Sequence, residues 1–553
     1  MHHQERPDDA PAEKSVETAV PEYSDSSGIH KNENEIEYPG TLKLWVIVFT
    51  LCLSLFLCGL DQTVITTAVP AITDDFHALE DIGWYTSAYL VTTATLTLAY
   101  GRLYTFFSIK IIFLIALFIF EVGSIVCATA QSSYALIIGR AVAGAGASGI
   151  FPGCSLILMC SAPLQKRPLY LGIITAMFGI ASIAGPYIGG AFTDRASWRW
   201  CFWINLPLGG LTVLIIALFV KTPVNAAFRE STTLEKVKKL DLPGLVLVIA
   251  SLICLILALQ WGGAIYPWND GRVVALLVVF AVLFLAFIGS QYFLPNSRTL
   301  PNVVLRSRSI WFAFLFAAFI SGSMFVVITY VPIYFQAIKG VSALGSGSRV
   351  TPTILGFLVF TIISGVVTTI TGYYNPSMIM ASILSSVGSG LLTTLVVNTG
   401  SPKWIGYQAL YGFGIGFGLQ QPLLVAQTVL PEADVPSGVA LINLAQMLGG
   451  AVFVAVSQNV FQNKLEQDIR GLVPNFDTSR IFTMGARDFF ALFQPDELSQ
   501  VLPLYCKAIT TTFYISTAIC AASIIGALGT EWTSTKKKTT ENAGGEITQK
   551  LEG

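Results

Sequence analysis

Long apolar runs separated by short polar segments are the dominant pattern of this chain. A helix that crosses a lipid bilayer needs roughly 20 mostly apolar residues. Runs of that length predict fourteen membrane-spanning helices, and an even number places both termini on one side of the membrane. The predicted spans are 42–70, 82–104, 109–129, 134–160, 169–193, 198–221, 240–260, 272–294, 309–336, 344–371, 376–397, 404–430, 436–461 and 505–530.

Composition favours the same all-α integral membrane class. Residues of the set AVILMFWYC make up 53% of the chain and charged residues only 12%, about half the ~25% typical of soluble domains. The net charge is −1, and no basic stripe with interleaved aromatic residues is present, so nucleic-acid binding is not expected. The nine cysteines lie in or beside apolar runs, which predicts free buried thiols rather than disulfides or a metal site.

The polar segments divide the chain into two six-helix halves with two extra central helices between them. Residues 1–40 read as a disordered tail without a signal peptide. The other predicted parts are the N-terminal half 41–221, a basic connector 222–239, the additional helix pair 240–294, the C-terminal half 295–530 with an outer loop 462–504, and a final tail 531–553.

Lysine and arginine are enriched in the loops on the side of the N-terminal tail, whereas the first loop on the other side has four acidic residues and no basic one. Short cytoplasmic loops carry such a basic excess. Both termini are therefore predicted to be cytoplasmic, and 222–239 to be a cytoplasmic connector.

Three charged residues lie inside predicted spans: Asp61, Glu121 and Arg140. A charge at the centre of a membrane helix costs at least ~2.5–3.5 kcal/mol, so these groups should face the bundle interior or water. Burial raises the pKa of a carboxyl group and a nearby cation lowers it, so a conformational change could bind or release a proton. The residues are hence candidates for proton coupling; the alternative is a permanent structural ion pair.

A string of small residues around Pro186 includes Gly185, Gly189 and Gly190. It suits a close-packed, bent helix that moves during transport, although ordinary helix packing is the simpler alternative. A GxGxxG string at 144–149 lies inside a span, not in a βαβ unit, so it does not predict dinucleotide binding. There is no GxxxxGK[ST] string or Ser/His/Asp cluster, so we expect neither an enzyme nor a cofactor.

Together these motifs resemble the major facilitator superfamily, in particular its fourteen-span drug:proton antiporters. The resemblance covers about residues 40–530 and rests on Asp61 to Pro70, on Arg140 with Gly144, on Gly185 to Gly190, and on Trp198 to Pro207. The outer loop 462–504 and the Phe-Glu-Val-Gly-Ser string around Glu121 are similar to fungal toxin and multidrug efflux pumps.

The resemblance implies a monomer in the cell membrane, with a vacuolar or vesicle membrane as the alternative. Its two halves would rock around a small organic molecule, such as a toxin, secondary metabolite or drug, and protons would drive export. In the family, the arginine matching Arg140 is linked to proton transfer. A symporter that imports siderophore-bound iron is the main alternative, and a non-transporting sensor is another; the glycine–proline string favours export.

The loop after the second span resembles the family's gating loop through Gly101, Arg102 and Lys110, but Thr105 stands where the family usually has aspartate. That acid latches the two halves on the cytoplasmic side, so the latch is in doubt here. Ala181 also replaces the first glycine of the helix-five motif. From their positions in spans, the predicted lining of the substrate cavity is Phe178, Phe325, Tyr330, Phe335, Tyr411, Phe417, Gln420 and Gln421. The two amides could contact substrate or only neighbouring helices.

Overall fold

The computed structural model describes residues 39–77, 81–220, 240–263, 266–293, 298–472 and 495–536. The basic connector 222–239, nearly all of the tail 1–40, most of the tail 531–553 and the middle of the outer loop 462–504 lie outside the described residues. Within the described ranges, regular secondary structure is helical.

The helices follow the predicted apolar runs closely, although several extend further. They are Thr41–Phe76 (α1), Ile82–Phe106 (α2), Ile109–Ala128 (α3), Ser133–Ser161 (α4), Arg167–Arg195 (α5), Trp200–Trp203 (α6), Asn205–Phe219 (α7), Leu242–Trp261 (α8), Gly271–Phe293 (α9), Asn302–Arg306 (α10), Arg308–Lys339 (α11), Ala343–Thr371 (α12), Asn375–Leu392 (α13), Ser401–Gly418 (α14), Gln421–Val429 (α15), Val435–Leu472 (α16) and Pro495–Gly529 (α17).

By length and apolarity, twelve helical segments in the described part of the chain could cross a membrane, rather than the predicted fourteen. The two that fall short are α2 and α13, which are long but rich in threonine and serine. Their hydroxyl groups bond back to the helix's own carbonyls, as Thr93 does to Tyr89 at 2.7 Å and Ser385 to Ala381 at 2.6 Å. Such bonds satisfy polar side chains inside an apolar bundle.

The bundle has two ends, and contacts between helix termini define them. At the terminal end, where α1 begins, Trp45 packs on Tyr170 at the start of α5 with ring centroids 5.6 Å apart. The chain after α17 lies at the same end, because Lys536 donates to the Ile370 carbonyl near the end of α12, and Gly365 of α12 packs on Pro168 at the start of α5. At the opposite, far end, Arg199 pairs with Asp75 at 3.0 Å.

Helices α1 to α7 pack mainly on one another, and so do α11 to α17. The two groups meet where α2 contacts α16 and where α5 contacts α12. Helices α8 and α9 pack together, and α8 also touches α2 and α16. The additional pair therefore lies beside one of the two seams between the groups.

Asp241 anchors this additional pair at the terminal end. It is 3% exposed and adopts a left-handed backbone with φ 52°. Its carboxylate accepts from the Gly244 amide at 3.1 Å, from Gln291 at 2.7 Å and from the Thr299 hydroxyl at 2.6 Å. Because these groups belong to α8, α9 and the segment after α9, one buried carboxylate holds three parts of the chain together.

Candidate functional site

Asp61 of α1 and Arg140 of α4 form a fully buried ion pair. The Arg140 Nη1 atom lies 2.5 Å from Asp61 Oδ2, and both side chains are 0% exposed. Their helices are brought into register by close packing of α1, α4 and α5. Breaking a buried pair by removing one partner typically costs about 3–5 kcal/mol, so the two charges depend on each other.

Further contacts hold the guanidinium of Arg140 in place. Its Nε donates to the backbone carbonyl of Tyr85 at 2.8 Å, and its carbon Cζ lies 4.5 Å from the centre of the Tyr89 ring. One nitrogen, Nη2, has no hydrogen-bond partner in the described structure. The guanidinium is thus oriented by α2 as well as by Asp61, and its Nη2 donor makes no hydrogen bond within the described structure.

Asn205 is the third member of the site, and the sequence did not single it out for this role. Its amide nitrogen donates to Asp61 Oδ1 at 3.3 Å and to Ser124 Oγ at 3.1 Å. Asn205 stands at the start of α7, inside the Trp198–Pro207 string that carried the family resemblance. The position in that string was the available signal, but only the fold shows that it reaches Asp61.

Glu121 of α3 lies beside this cluster. Neither carboxyl oxygen has a hydrogen-bond partner in the described structure. The group is packed against Gly209 of α7, where a Cβ atom would overlap Oε1. A carboxylate without donors in an apolar niche is strongly disfavoured relative to its protonated form. The niche therefore suits a carboxyl group that holds a proton.

The glycines of the α5 string pack against α1 next to the ion pair. A Cβ atom at Gly185 would overlap the Thr63 hydroxyl, and one at Gly189 would lie 2.6 Å from the Val64 carbonyl oxygen. Gly190 differs, because no atom lies within 4 Å of such a Cβ. The α1–α5 contact therefore needs glycine at two of the three positions.

Two of the predicted cavity residues lie at boundaries between helices, where a ligand could reach them. Phe178 packs against Phe151 with centroids 6.1 Å apart and against Gly59 of α1. Phe325 lines a cavity beside α8 and contacts Gly450 of α16.

Others lie inside the C-terminal group of helices. Tyr411 is fully buried and shares a 2.8 Å hydrogen bond with Ser323, and Gln421 donates to Ser364 at 2.7 Å. Tyr330 is 3% exposed. These three side chains contact neighbouring helices, and their predicted role in lining the substrate cavity stays a prediction.

Gln420 differs from these residues, because its side chain reaches from the C-terminal group of helices to α5 of the N-terminal group. Its amide nitrogen donates to the Thr175 hydroxyl of α5, and its Oε1 has no partner in the described structure. Phe335 and Phe417 pack on other aromatic rings, Trp404 and Phe360 respectively. Gln420 is therefore the predicted polar lining residue that joins the two groups of helices.

The seam between α2 and α16 is closed at the terminal end even though Thr105 replaces the family's acid. The Thr105 and Ser437 hydroxyls lie 3.3 Å apart in a hydrogen bond. A Cβ atom at Gly101 would lie 2.5 Å from Ala440 Cβ. A hydroxyl pair and a glycine contact thus lie where the resemblance places the acidic latch, and we call these residues the terminal gate.

Charges surround this gate. Arg102 is 6% exposed, and its guanidinium carbon lies 4.5 Å from the centre of the Phe106 ring. In the loop before α16, burial raises the pKa of the Asp434 carboxyl, and the nearby positive charge of Arg102 acts in the opposite direction. Lys110 points elsewhere and donates to the Ala217 carbonyl at 2.6 Å, at the end of α7.

The second seam, between α5 and α12, is also tight near the terminal end. A Cβ atom at Gly365 would lie 2.6 Å from the Pro168 carbonyl oxygen, and one at Gly172 would lie 2.7 Å from the Thr361 carbonyl oxygen. Both seams are therefore in contact at this end of the bundle.

Gly101→Ala should hold the terminal gate open, because the added methyl group would overlap Ala440 of α16. We expect cysteines introduced at Thr105 and Ser437 to cross-link readily in the parent and poorly in the Gly101→Ala background. The exposed α10 region, probed with a cysteine at Val303, is the control for general reactivity. Equal cross-linking in both backgrounds would contradict this role of Gly101.

Comparison with known proteins identifies the family of this chain. The family model described as Major Facilitator Superfamily matches residues 51–454. The chain belongs to the major facilitator superfamily. It is 57% identical to the MFS thioclapurine efflux transporter tcpA of Claviceps purpurea, over 92% of this chain and 94% of that protein. It is 48% identical to the MFS-type efflux pump MFS1 of Trichophyton rubrum, over 94% of this chain and 97% of that protein.

The predicted resemblance to fungal efflux pumps of the superfamily is thereby confirmed. A solved structure of the proton:xylose symporter XylE has a TM-score of 0.57 and 14% identity, covering 90% of this chain and 99% of that one. At that identity the likeness concerns the fold alone. The protein is thus a multi-pass membrane transporter with the all-helical fold of this superfamily.

Proposed function

We propose that this transporter exports a small organic molecule in exchange for protons that move inward. The mycotoxin, secondary-metabolite or drug class is supported by its similarity to tcpA and MFS1, which are named as efflux proteins. We further propose that α2 and α13 cross the membrane, giving fourteen spans, and that the terminal end faces the cytoplasm. The cell membrane is the proposed location and the monomer the proposed form.

One observation carries the proposal of proton coupling: a buried Asp61–Arg140–Asn205 cluster has an unpartnered carboxyl, Glu121, beside it. Two carboxyl groups close together in an apolar site disfavour double ionisation, so one of them tends to hold a proton. Movement of α1 against α4 would change the contact between Asp61 and Arg140. A proton could then be taken up or released as that contact changes.

The proposed transport cycle is alternating access between the two groups of helices. The closed seams at the terminal end correspond to a state shut toward the cytoplasm. Gln420 and Thr175 cross one of these seams, so their hydrogen bond would break when the cytoplasmic side opens. Asp61 lies on α1 next to the α5 glycines, so the same rearrangement of α1 and α5 would reach the ion pair.

Inside-out vesicles provide the direct test of direction and coupling. With an acidic lumen, an exporter should accumulate a fluorescent drug such as rhodamine 6G inside the vesicles as protons leave. A proton symporter of the importing type would instead expel the drug under the same gradient. Addition of nigericin, which collapses the pH difference, should abolish accumulation; accumulation that persists with nigericin would contradict proton coupling.

Replacing Glu121 with glutamine should remove most pH-driven drug accumulation, because glutamine keeps the shape of the side chain but cannot exchange a proton. The measurement is the initial rate in the same inside-out vesicles at several lumen pH values. The variant should also lose most of the dependence of the rate on lumen pH. A pH profile like that of the parent would exclude Glu121 from coupling.

A glycine pair offers a matched control for that result. Gly209→Ala would push a methyl group into the Glu121 carboxyl, whereas Gly210→Ala adds a methyl group with no atom within 4 Å. We expect Gly209→Ala to impair pH-driven accumulation and Gly210→Ala to leave it unchanged. Equal behaviour of the two variants would contradict the role of the niche around Glu121.

A further inference from the structure

The additional helix α8 helps to build a cavity that lies apart from the Asp61 cluster. The cavity has a volume of about 240 Å³ and lies among α2, α8, α11 and α16. Leu90 of α2, Ile256 of α8, Phe325 of α11 and Met447 of α16 contribute apolar surface. We call it the side pocket.

Two amide side chains interrupt this apolar lining. Gln260 of α8 and Gln458 of α16 both face the side pocket, together with the hydroxyl-bearing Thr329 of α11. Each amide offers donors and an acceptor. Placing such groups within a membrane-spanning region is unfavourable unless they gain a partner, so their meeting at one pocket points to a ligand.

The lining residues also define the chemistry of that ligand. The side chains that surround the side pocket carry no formal charge, which favours a neutral molecule over an ion. The apolar walls require apolar ligand surface, and the amides and hydroxyl require one or two hydrogen-bonding groups. Drug-sized ligands occupy pockets of roughly 300–1,000 Å³, so this volume suits a small molecule or one end of a larger one.

The connection between α8 and α9 secures the pocket at the far end. Trp268 donates a hydrogen bond to Asn459 of α16, and Gly263, with φ 77°, packs closely on the same asparagine. A neighbouring cavity of about 340 Å³ shares Leu259 and Ala455 with the side pocket. These contacts fix the connection between α8 and α9 to α16 beside the side pocket.

Two of the four helices that line the side pocket, α2 and α16, also form the terminal gate. Leu90 and Gly101 both belong to α2, and Met447 and Ala440 both belong to α16. A shift between α2 and α16 that opens the gate must also change the shape of the side pocket. Occupancy of the pocket would consequently favour one state of the gate.

We propose that the side pocket binds a neutral, amphipathic organic molecule, and that α8 is present in this chain partly to complete the site. The proposal deepens the proposed export function by naming a ligand class and a second place of contact. It requires binding only, and it does not require that transport be coupled to protons.

Photolabelling tests the proposal with meta-azipropofol, a neutral phenol that carries a diazirine. The full-length transporter in lipid nanodiscs would be irradiated with the probe, digested and mapped by mass spectrometry. We expect adducts on the α8 and α16 segments around Gln260, Met447 and Gln458 that decrease severalfold with excess propofol. Labelling of the lipid-exposed α9 surface around Val282, which is 60% exposed, should not respond to propofol and gives the background.

Two variants make the test specific. Gln260→Leu combined with Gln458→Leu keeps the volume but removes both amides, and should weaken competition by propofol severalfold. Ala94→Phe fills the pocket from α2 and should abolish the competable adducts. Labelling at the side pocket that propofol does not reduce, or that both variants leave unchanged, would show that only lipid chains enter it and would overturn the proposal.

The failure of this proposal can be told apart from failure of the export function. Photolabelling uses no pH gradient, so a transporter without proton coupling would still show competable adducts. Conversely, pH-driven rhodamine 6G accumulation with no competable labelling would refute the side pocket alone.

Discussion

Replacing Asp61 with asparagine should abolish pH-driven drug accumulation in inside-out vesicles while the protein remains in the membrane. The single amide oxygen of asparagine can replace the carboxylate oxygen that accepts from Arg140 or the one that accepts from Asn205, but not both, and the side chain can neither release nor bind a proton. Arg140 would keep its bonds to the Tyr85 carbonyl and its contact with the Tyr89 ring. We expect the loss of proton-coupled transport to be larger than the loss of folding stability.

The stability effect must be separated from coupling, because Asp61→Asn leaves a buried cation without its partner. Removing one member of a buried pair typically costs about 3–5 kcal/mol because the other charge is left buried and uncompensated, a cost that is absent when both charges are removed. We therefore expect the double variant Asp61→Asn/Arg140→Gln to regain thermal stability without regaining transport. Full pH-driven transport in either variant would remove Asp61 from the mechanism.

Three further variants complete this comparison. Arg140→Ala should impair accumulation more than Arg140→Lys, because lysine keeps a positive charge that can approach Asp61. Asp75→Asn is the matched control, since Asp75 lies on the same helix as Asp61 and pairs with Arg199. The side chain of Arg199 is 33% exposed and that of Asp75 is 45% exposed. Exposed pairs contribute about 0–1 kcal/mol, so this variant should behave like the parent.

The charged part of the site could be predicted from sequence because charge in an apolar run is conspicuous. Asp61, Glu121 and Arg140 each interrupt a long hydrophobic span, and the energetic penalty of burial indicated that they face inward. The structure brings Asp61 and Arg140 into contact and places Glu121 beside them. Their predicted role in proton coupling stays a prediction.

Uncharged partners could not be predicted in the same way. Asn205 and Ser124 are ordinary polar residues in sequence, and Gly209 is one glycine among 48. Their importance depends on which helices become neighbours, here α3, which carries Glu121, and α7, which carries Asn205 and Gly209. Such long-range adjacency is not visible in the local pattern of apolar and polar positions.

The terminal gate illustrates a related limit. The sequence showed that Thr105 replaces an acid, which suggested a weakened latch, but it could not show what Thr105 meets. In the fold, Thr105 meets Ser437, more than three hundred positions along the chain. Likewise, the apolar runs predicted fourteen spans, of which twelve meet the length and apolarity of a membrane helix in the described residues, and the sequence did not show how the hydroxyl-rich α2 and α13 are accommodated within the bundle.

Gly185→Ala should have a large structural effect next to the site. The new methyl group would overlap the Thr63 hydroxyl and lie 3.1 Å from the Val64 backbone nitrogen, so α1 and α5 would have to move apart. Overpacking of a tight interface typically costs about 1–3 kcal/mol. We expect a lower melting temperature of the purified protein together with loss of most pH-driven accumulation.

Gly190→Ala is the matched control, because it lies in the same string of α5 yet faces open space with no atom within 4 Å. Both variants replace glycine with alanine in α5, so the change in helix propensity is nearly the same in each. A difference between them must therefore arise from the α1–α5 contact. If Gly185→Ala were as stable and as active as Gly190→Ala, close approach of these helices would not be required. A stable but inactive Gly185→Ala protein would instead show that the contact serves movement of α5 against α1 next to Asp61, rather than folding alone.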